Sequence, residues 1–172
     1  MSFIARLLGR KPDPAEALRA LWHQIIVVGR TRDWFAKGGI VDDISGRFDA
    51  LANVTALVML RMEGQAELRA PSARLTELFV SDMDGQLRQN GIGDLVVGKR
   101  VTKLMGALGG RIEAYRAALA QPDDAALIAA IERNVTLRDN ADTAYLAREL
   151  RGLAARLGAL SNAELLEGKI AA

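Results

Sequence analysis

The sequence contains no cysteine and only one histidine, His23. Without thiols the chain can form neither a disulfide nor a thiolate metal site. His23 lies between Trp22 and Gln24, with no second histidine or cysteine to share a haem or a metal ion. The sequence also lacks a phosphate-binding glycine motif between a strand and a helix. We therefore expect no catalytic residue, no cofactor and no metal, and we predict that the protein is not an enzyme.

Aromatic residues and long apolar runs are also scarce. Aromatics make up 5% of the 172 residues, whereas apolar residues make up 50% and charged residues 26%. Alanine, leucine, arginine and glutamate dominate, which favours helix over sheet. No stretch approaches the roughly 18 apolar residues that a membrane span needs. The net charge of +2 gives no indication of DNA binding.

Apolar spacing and capping residues predict an all-α fold, a single-domain bundle of about six to seven helices. The expected helices cover 13–28, 47–63, 71–89, 94–120, a segment beginning at 122, 140–160 and a short segment opened by a Ser161–Glu164 capping box. Residues 30–46 and 64–70 are expected to be a loop and a linker. The helix at 47–63 is apolar nearly all round, so we place it at the centre.

The N-terminal extension, residues 1–12, precedes the helical domain at 13–172. It alternates apolar residues (Phe3, Ile4, Leu7, Leu8) with basic ones. Two interpretations remain open. It is either a short amphipathic contact with a membrane or partner, or an end that docks on the body of the domain.

Acidic residues at Asp82 and Asp84 invite a metal-site interpretation, but their spacing opposes it. Two positions apart on a helix, the side chains diverge by about 200° and cannot face one ion. A metal site would need help from Glu77 or from elsewhere. We interpret the pair as a solvated acidic face.

The predicted fourth helix carries basic residues and glycines. Lys99 and Lys103 lie one turn apart, and a helical wheel adds Arg100 and Arg111 to the same basic stripe. This stripe is either a surface for phosphate, acidic lipid or an acidic partner, or an ordinary solvated face, or a face that pairs with the acidic third helix.

On the same helix, Gly106 and Gly110 form a notch. The notch predicts close packing either by another helix of the domain or by a bound client helix.

Several short motifs together resemble the ubiquinol–cytochrome c chaperone family over about residues 15–120. They are Trp34-Phe35 before Gly38-Gly39, Gly46-Arg47-Phe48-Asp49, Asp82-Met83-Asp84, Gly91 and Gly93 before Asp94, Val97-Gly98-Lys99, Gly110-Arg111 and Ala114-Tyr115. The tail beyond Gln121 carries no distinctive motif.

The resemblance implies an assembly chaperone without enzymatic activity, which binds newly made cytochrome b during biogenesis of respiratory complex III. It also implies contact with the ribosome exit region, and the basic stripe adds an acidic membrane surface as a further expected contact. A bacterial relative at the inner face of the cytoplasmic membrane is expected, because no transit segment is evident. The alternative is a helical carrier of a hydrophobic small molecule, a lipid or a quinone.

The candidate client- or partner-binding residues are conspicuous polar, aromatic and glycine positions of these motifs and of the predicted fourth helix: Trp34, Phe35, Arg47, Asp49, Asp82, Asp84, Lys99, Lys103, Gly106, Gly110 and Arg111. For Arg47 and Asp49 a second interpretation is equally open, in which they pair internally with the helix of Asp82 and Asp84.

The missing ligand residues generate the first prediction. Purified protein should carry no stoichiometric metal, haem or nucleotide, because the residues that would hold them are absent. Elemental analysis and an absorption spectrum check this. One metal per chain or a haem band would contradict it.

Overall fold

The computed structural model describes residues 14–89 and 94–170, with side chains described for 18–86 and 102–170. This part of the chain is all-α, as predicted, with six helices of ten residues or more and two of five residues. The helices are α1 Pro14–Gly29, α2 Arg32–Ala36, α3 Ile44–Met62, α4 Arg69–Gln89, α5 Asp94–Leu119, α6 Ala125–Asn134, α7 Thr143–Ala159 and α8 Asn162–Leu166. Residue 13, where the first helix is expected to begin, lies outside the described residues.

Helix α3 occupies the centre of the bundle, which confirms the prediction from its apolar pattern. Every residue from 50 to 58 is buried, and α3 packs against α1, α5 and α7. The helix begins three residues earlier than expected because Asp43 caps it, accepting a hydrogen bond from the Gly46 amide at 2.8 Å. A helix with no solvated face needs neighbours on all sides, so α3 organises the others around it.

The predicted loop at 30–46 instead contains α2, held by a distant segment. The Val41 amide donates to Thr136 at 3.0 Å, and the Arg138 amide donates to Gly39 at 2.8 Å. The Arg138 guanidinium also donates to the Phe35 carbonyl at 2.7 Å, where the last carbonyls of a short helix lack intrahelical partners. We call these contacts between residues 35–41 and 136–141 the α2 clamp.

The starts of α4 and α8 depend on residues that are close together in sequence. The predicted linker at 64–70 contains a 3₁₀ turn at Ala66–Leu68, and Pro71 lies in the first turn of α4, where its missing N–H costs nothing. The predicted capping box at the start of α8 is present, with Ser161 and Glu164 bonded to each other's backbone amides. Helix α4 therefore begins at Arg69, two residues before the predicted start, whereas the capping box, which joins residues three apart, is confirmed.

A buried ion pair joins α3 to α5. Arg111 is 1% exposed and donates to Asp49 at 2.8 Å. The other oxygen of Asp49 accepts from the amide and hydroxyl of Thr136 at 2.8 and 2.7 Å, and Arg111 also donates to the Asn134 carbonyl. Buried charges are tolerated when they are paired and hydrogen-bonded. This network therefore ties α3, α5 and the α6–α7 connection together.

One turn further along α5, a second buried polar contact repeats the link. The Tyr115 hydroxyl donates to Asn53 of α3 at 2.8 Å. Burial raises the pKa of Tyr115 well above its usual range, so the hydroxyl keeps its proton and remains a donor at any physiological pH.

The ion pair generates the second prediction. Asp49→Ala should destabilise the domain by roughly 3–5 kcal/mol, because it leaves the Arg111 charge buried without its partner. The double variant Asp49→Ala/Arg111→Leu should lose less stability than Asp49→Ala does, because no unpaired charge then remains buried. Urea unfolding followed by circular dichroism measures the difference.

Asp42→Ala provides the matched control, because Asp42 pairs with Arg47 on the surface and exposed pairs contribute little. A urea unfolding midpoint for Asp49→Ala close to that of the parent would show that the buried ion pair does not stabilise the fold.

Candidate functional site

The main concave feature of the described chain is an open groove between α1 and α4, closed at one end by α2 and the start of α3. Its volume is about 1080 Å³. We call it the α1–α4 groove. Its apolar lining consists of Trp22, Ile26, Phe35, Ile44, Phe48, Leu51, Leu78 and Met83, and its polar lining includes Arg30, Arg32, Asp42, Arg47, Ser81, Asp82 and Gln86.

Helical spacing explains why these residues converge. Trp22 and Ile26 are one turn apart on α1, and Leu78 and Ser81 are one turn apart on α4, so each pair faces the same side of its helix. Below them, Phe79 is fully buried and contacts the rings of Trp22 and Phe48 at centroid distances of 6.2 and 5.8 Å. The groove therefore has a packed aromatic floor.

Ile44 marks the edge of the groove. It is 58% exposed, and Val27 is the other large apolar side chain exposed to a similar degree among the described residues. A single exposed isoleucine needs no explanation, but one that extends an apolar groove indicates a surface for binding. The sequence predicted this residue neither as core nor as part of a site.

The rim of the groove is charged. Arg47 pairs with Asp42 at 2.7 Å, and this hydrogen bond lowers the pKa of Asp42. Asp82 accepts a hydrogen bond from Gln86 at 2.9 Å. Arg30 and Arg32 form no ion pair with any residue that the structure describes. The groove can thus take an apolar segment and present unpaired positive charge at one end.

No cluster of three or more histidine, cysteine, aspartate or glutamate residues in the described part of the chain could hold a metal ion. The lining of the groove is suited to binding through burial of apolar surface, and charged groups lie at its rim.

Three of the candidate residues lie in the groove: Phe35, Arg47 and Asp82. Trp34 does not, because it is 3% exposed and belongs to the core. Asp84 is half-buried on α4, outside the groove lining and turned from Asp82 by about 200°.

The predicted pairing of Arg47 and Asp49 with the acidic helix is wrong. Arg47 pairs with Asp42, and Asp49 pairs with Arg111. Arg47 and Asp49 are two residues apart on α3, so they point in different directions, one to the surface and one into the core.

Arg111 does not belong to the basic stripe, because it is buried. The helical wheel placed it near Lys103, but over eight residues the wheel turns by about 80°, enough to carry Arg111 onto the buried face with Leu108 and Tyr115. Lys103 is exposed. The side chains of Lys99 and Arg100 lie outside the described side chains.

The first alternative for the Gly106 and Gly110 notch, close packing by another helix of the domain, finds no partner among the described residues. Both glycines are exposed, and no described atom lies within 4 Å of a Cβ added to either. Packing by a client helix stays a prediction.

Other glycines of the motifs are tightly enclosed. A Cβ on Gly46 would lie 1.9 Å from the Val41 carbonyl oxygen. Gly39 has a φ of +81°, and its added Cβ would lie 2.5 Å from the Ala141 Cα. These glycines permit the α2 clamp and the start of α3, so their role is to shape one end of the groove rather than to contact a partner.

Trp22, Gly85 and Ile44 were missed by sequence reasoning. Gly85 could have been noticed in the sequence, because a glycine inside a helix costs about 1 kcal/mol relative to alanine and therefore indicates a structural or functional requirement. It lines the groove, and a Cβ there would meet open space.

A helical bundle with an apolar, aromatic-floored groove and a charged rim defines a helical binding protein. The profile of the ubiquinol–cytochrome C chaperone family matches residues 36–172, and the chain belongs to that family. The match includes the tail beyond Gln121, where we found no motif, and begins just after Trp34-Phe35. Membership supports a chaperone role.

The structure is also similar to the crystal structure of the Cbp3 homolog from Brucella abortus. The two have 31% sequence identity and a TM-score of 0.81, over 96% of this chain and 94% of that one. The comparison with curated proteins gives no match. The likeness of fold and sequence along nearly the whole chain agrees with the family assignment.

Within the described residues, none of the helices combines the length and the apolar character that crossing a membrane requires.

The contrast between the two kinds of glycine generates the third prediction. Gly110→Ala should leave the melting temperature unchanged or raise it, because the position is open and alanine favours helix by about 1 kcal/mol. Gly46→Ala should lower stability by roughly 1–3 kcal/mol, because its Cβ meets a backbone carbonyl. Thermal unfolding of both variants checks this, and a large loss in Gly110→Ala would reinstate internal packing at the notch.

Proposed function

We propose that the protein is a non-enzymatic assembly chaperone that holds newly made cytochrome b during biogenesis of respiratory complex III. Membership of the ubiquinol–cytochrome C chaperone family supports the class of activity. The observation that carries the proposal is the α1–α4 groove, which offers an apolar surface with an exposed edge at Ile44.

The proposed mechanism is reversible burial. A hydrophobic segment of the client covers Ile44 and the aromatic floor, and each Å² of apolar surface removed from water contributes about 25 cal/mol. Because the groove is open to solvent along its rim, the client can leave without unfolding the chaperone. Holding and release then need no chemical step.

The proposed location is the inner face of the cytoplasmic membrane, where a membrane-protein client emerges. Lys103, exposed on α5, and Lys99 remain candidates for contact with the ribosome exit region or an acidic lipid surface. Such contacts weaken as salt rises, because charges farther apart than about 8 Å are screened at physiological ionic strength.

The carrier of a lipid or quinone is the alternative. The groove volume suits a small ligand, but small-molecule sites bury most of the ligand surface. Here Arg30, Arg32 and Ile44 are exposed on the rim, so a polypeptide segment that continues beyond the groove fits better than an enclosed small molecule.

Gly85→Leu tests the groove, and this is the fourth prediction. Its added side chain enters open space in the groove, so stability should not fall, since leucine favours helix. Capture of newly made cytochrome b, measured by cross-linking in membranes of the native host, should drop by roughly tenfold or more, which corresponds to a loss of about 1.4 kcal/mol.

Gly158→Leu is the matched control, because Gly158 is exposed on α7 and a Cβ there also meets open space. It should capture cytochrome b like the parent. Parent-like capture by Gly85→Leu would remove the groove from the mechanism. Failure of the parent to capture cytochrome b, with uptake of lipid or quinone instead, would favour the carrier.

A further inference from the structure

The α1–α4 groove continues into a smaller recess, so the two form one trough. The recess has a volume of about 220 Å³ and is lined by Arg19, Arg74 and Glu77, and it shares Leu78 and Ser81 with the larger groove. From Arg19 to Gly29 the trough follows eleven residues of α1, which corresponds to roughly 16 Å, or about three helical turns.

Both walls of the trough run in the same direction. The start of α1 faces the residues near 74–78 of α4, and the end of α1 faces the residues near 81–86. The α4 wall includes two small residues one turn apart, Ser81 and Gly85, and small residues allow another backbone to approach closely. These dimensions and this wall suit a helix lying lengthwise.

Charge distinguishes the two ends of such a helix. Arg30 and Arg32 lie at the α2 end, exposed and without an ion pair among the described residues. Midway along, on the opposite wall, Asp82 disfavours a second carboxylate there. Arg19 in the recess is also exposed and without an ion pair among the described residues, but two such arginines lie at the α2 end, so positive charge is greatest there.

We infer that the trough binds an apolar helix of about three turns that carries an acidic residue in the turn that reaches Arg30 and Arg32. The inference rests on the proposed function and names the chemistry of the client segment. A flat anionic membrane fits less well, because the floor residues Trp22 and Leu51 are more than nine-tenths buried and a planar surface cannot reach them.

Two synthetic peptides test the charge rule. Both have about 14 residues, long enough for three turns, with leucines at helical spacing. One carries two glutamates in its last turn, and the other carries two lysines there. Fluorescence anisotropy of each labelled peptide, titrated with the full chain at low and physiological salt, gives the two affinities. We expect the acidic peptide to bind roughly tenfold more tightly.

The double variant Arg30→Glu/Arg32→Glu should reverse the preference, so that the lysine peptide binds more tightly. Arg148→Glu, an exposed charge on α7 outside the trough lining, should keep the preference of the parent. Gly85→Leu should weaken both peptides, because it fills the trough whatever the charge of its occupant.

Equal affinity of the parent for the two peptides, or an unchanged preference in the reversed variant, would overturn the inference. So would binding to phosphatidylglycerol vesicles that depends on Arg30 and Arg32 in the absence of peptide discrimination. The proposed function fails separately, when the parent itself does not capture cytochrome b. Loss of capture in Gly85→Leu with equal peptide affinities would leave the proposed function standing and remove only the charge rule.

Discussion

The pairing of Arg111 with Asp49 is the interaction on which the rest of the structure depends. A guanidinium at 1% exposure requires a partner, and its partner on the central helix also holds Thr136. The carbonyl of Thr136 then receives the Val41 amide, which begins the α2 clamp. A charge buried between α3 and α5 thus determines where α2 lies and where one end of the α1–α4 groove closes.

The residues that carry the family likeness divide accordingly. Asp49, Arg111 and Tyr115 act inside the bundle, and Gly39 and Gly46 give the backbone room where no Cβ fits. Phe35, Arg47 and Asp82 reach the groove. The motifs on which the resemblance was based therefore serve the fold of this chain at least as much as its groove.

Sequence reasoning succeeded where the controlling interaction is local. The central position of α3 follows from its own apolar pattern, and the capping box of α8 joins residues three apart. It failed where partners are distant: Arg111 meets Asp49 across 62 positions, and Arg138 holds Phe35 across 103. A helical wheel cannot reveal such partners, and a glycine notch shows that space exists without showing whether anything fills it. The groove needed four elements placed together, so its position was beyond prediction.

The α2 clamp also fixes an order of events during synthesis. Helices α1, α3 and α4 are complete by residue 89, but α2 gains its partners only when residues 136–141 have emerged. At an elongation rate of about 5–20 residues per second, seconds separate the exit of the groove's main walls from the exit of the segment that closes its end. A nascent copy of the protein therefore passes through a stage in which its own apolar trough is still unfinished, and it becomes competent to receive a client only when most of its chain has left the ribosome.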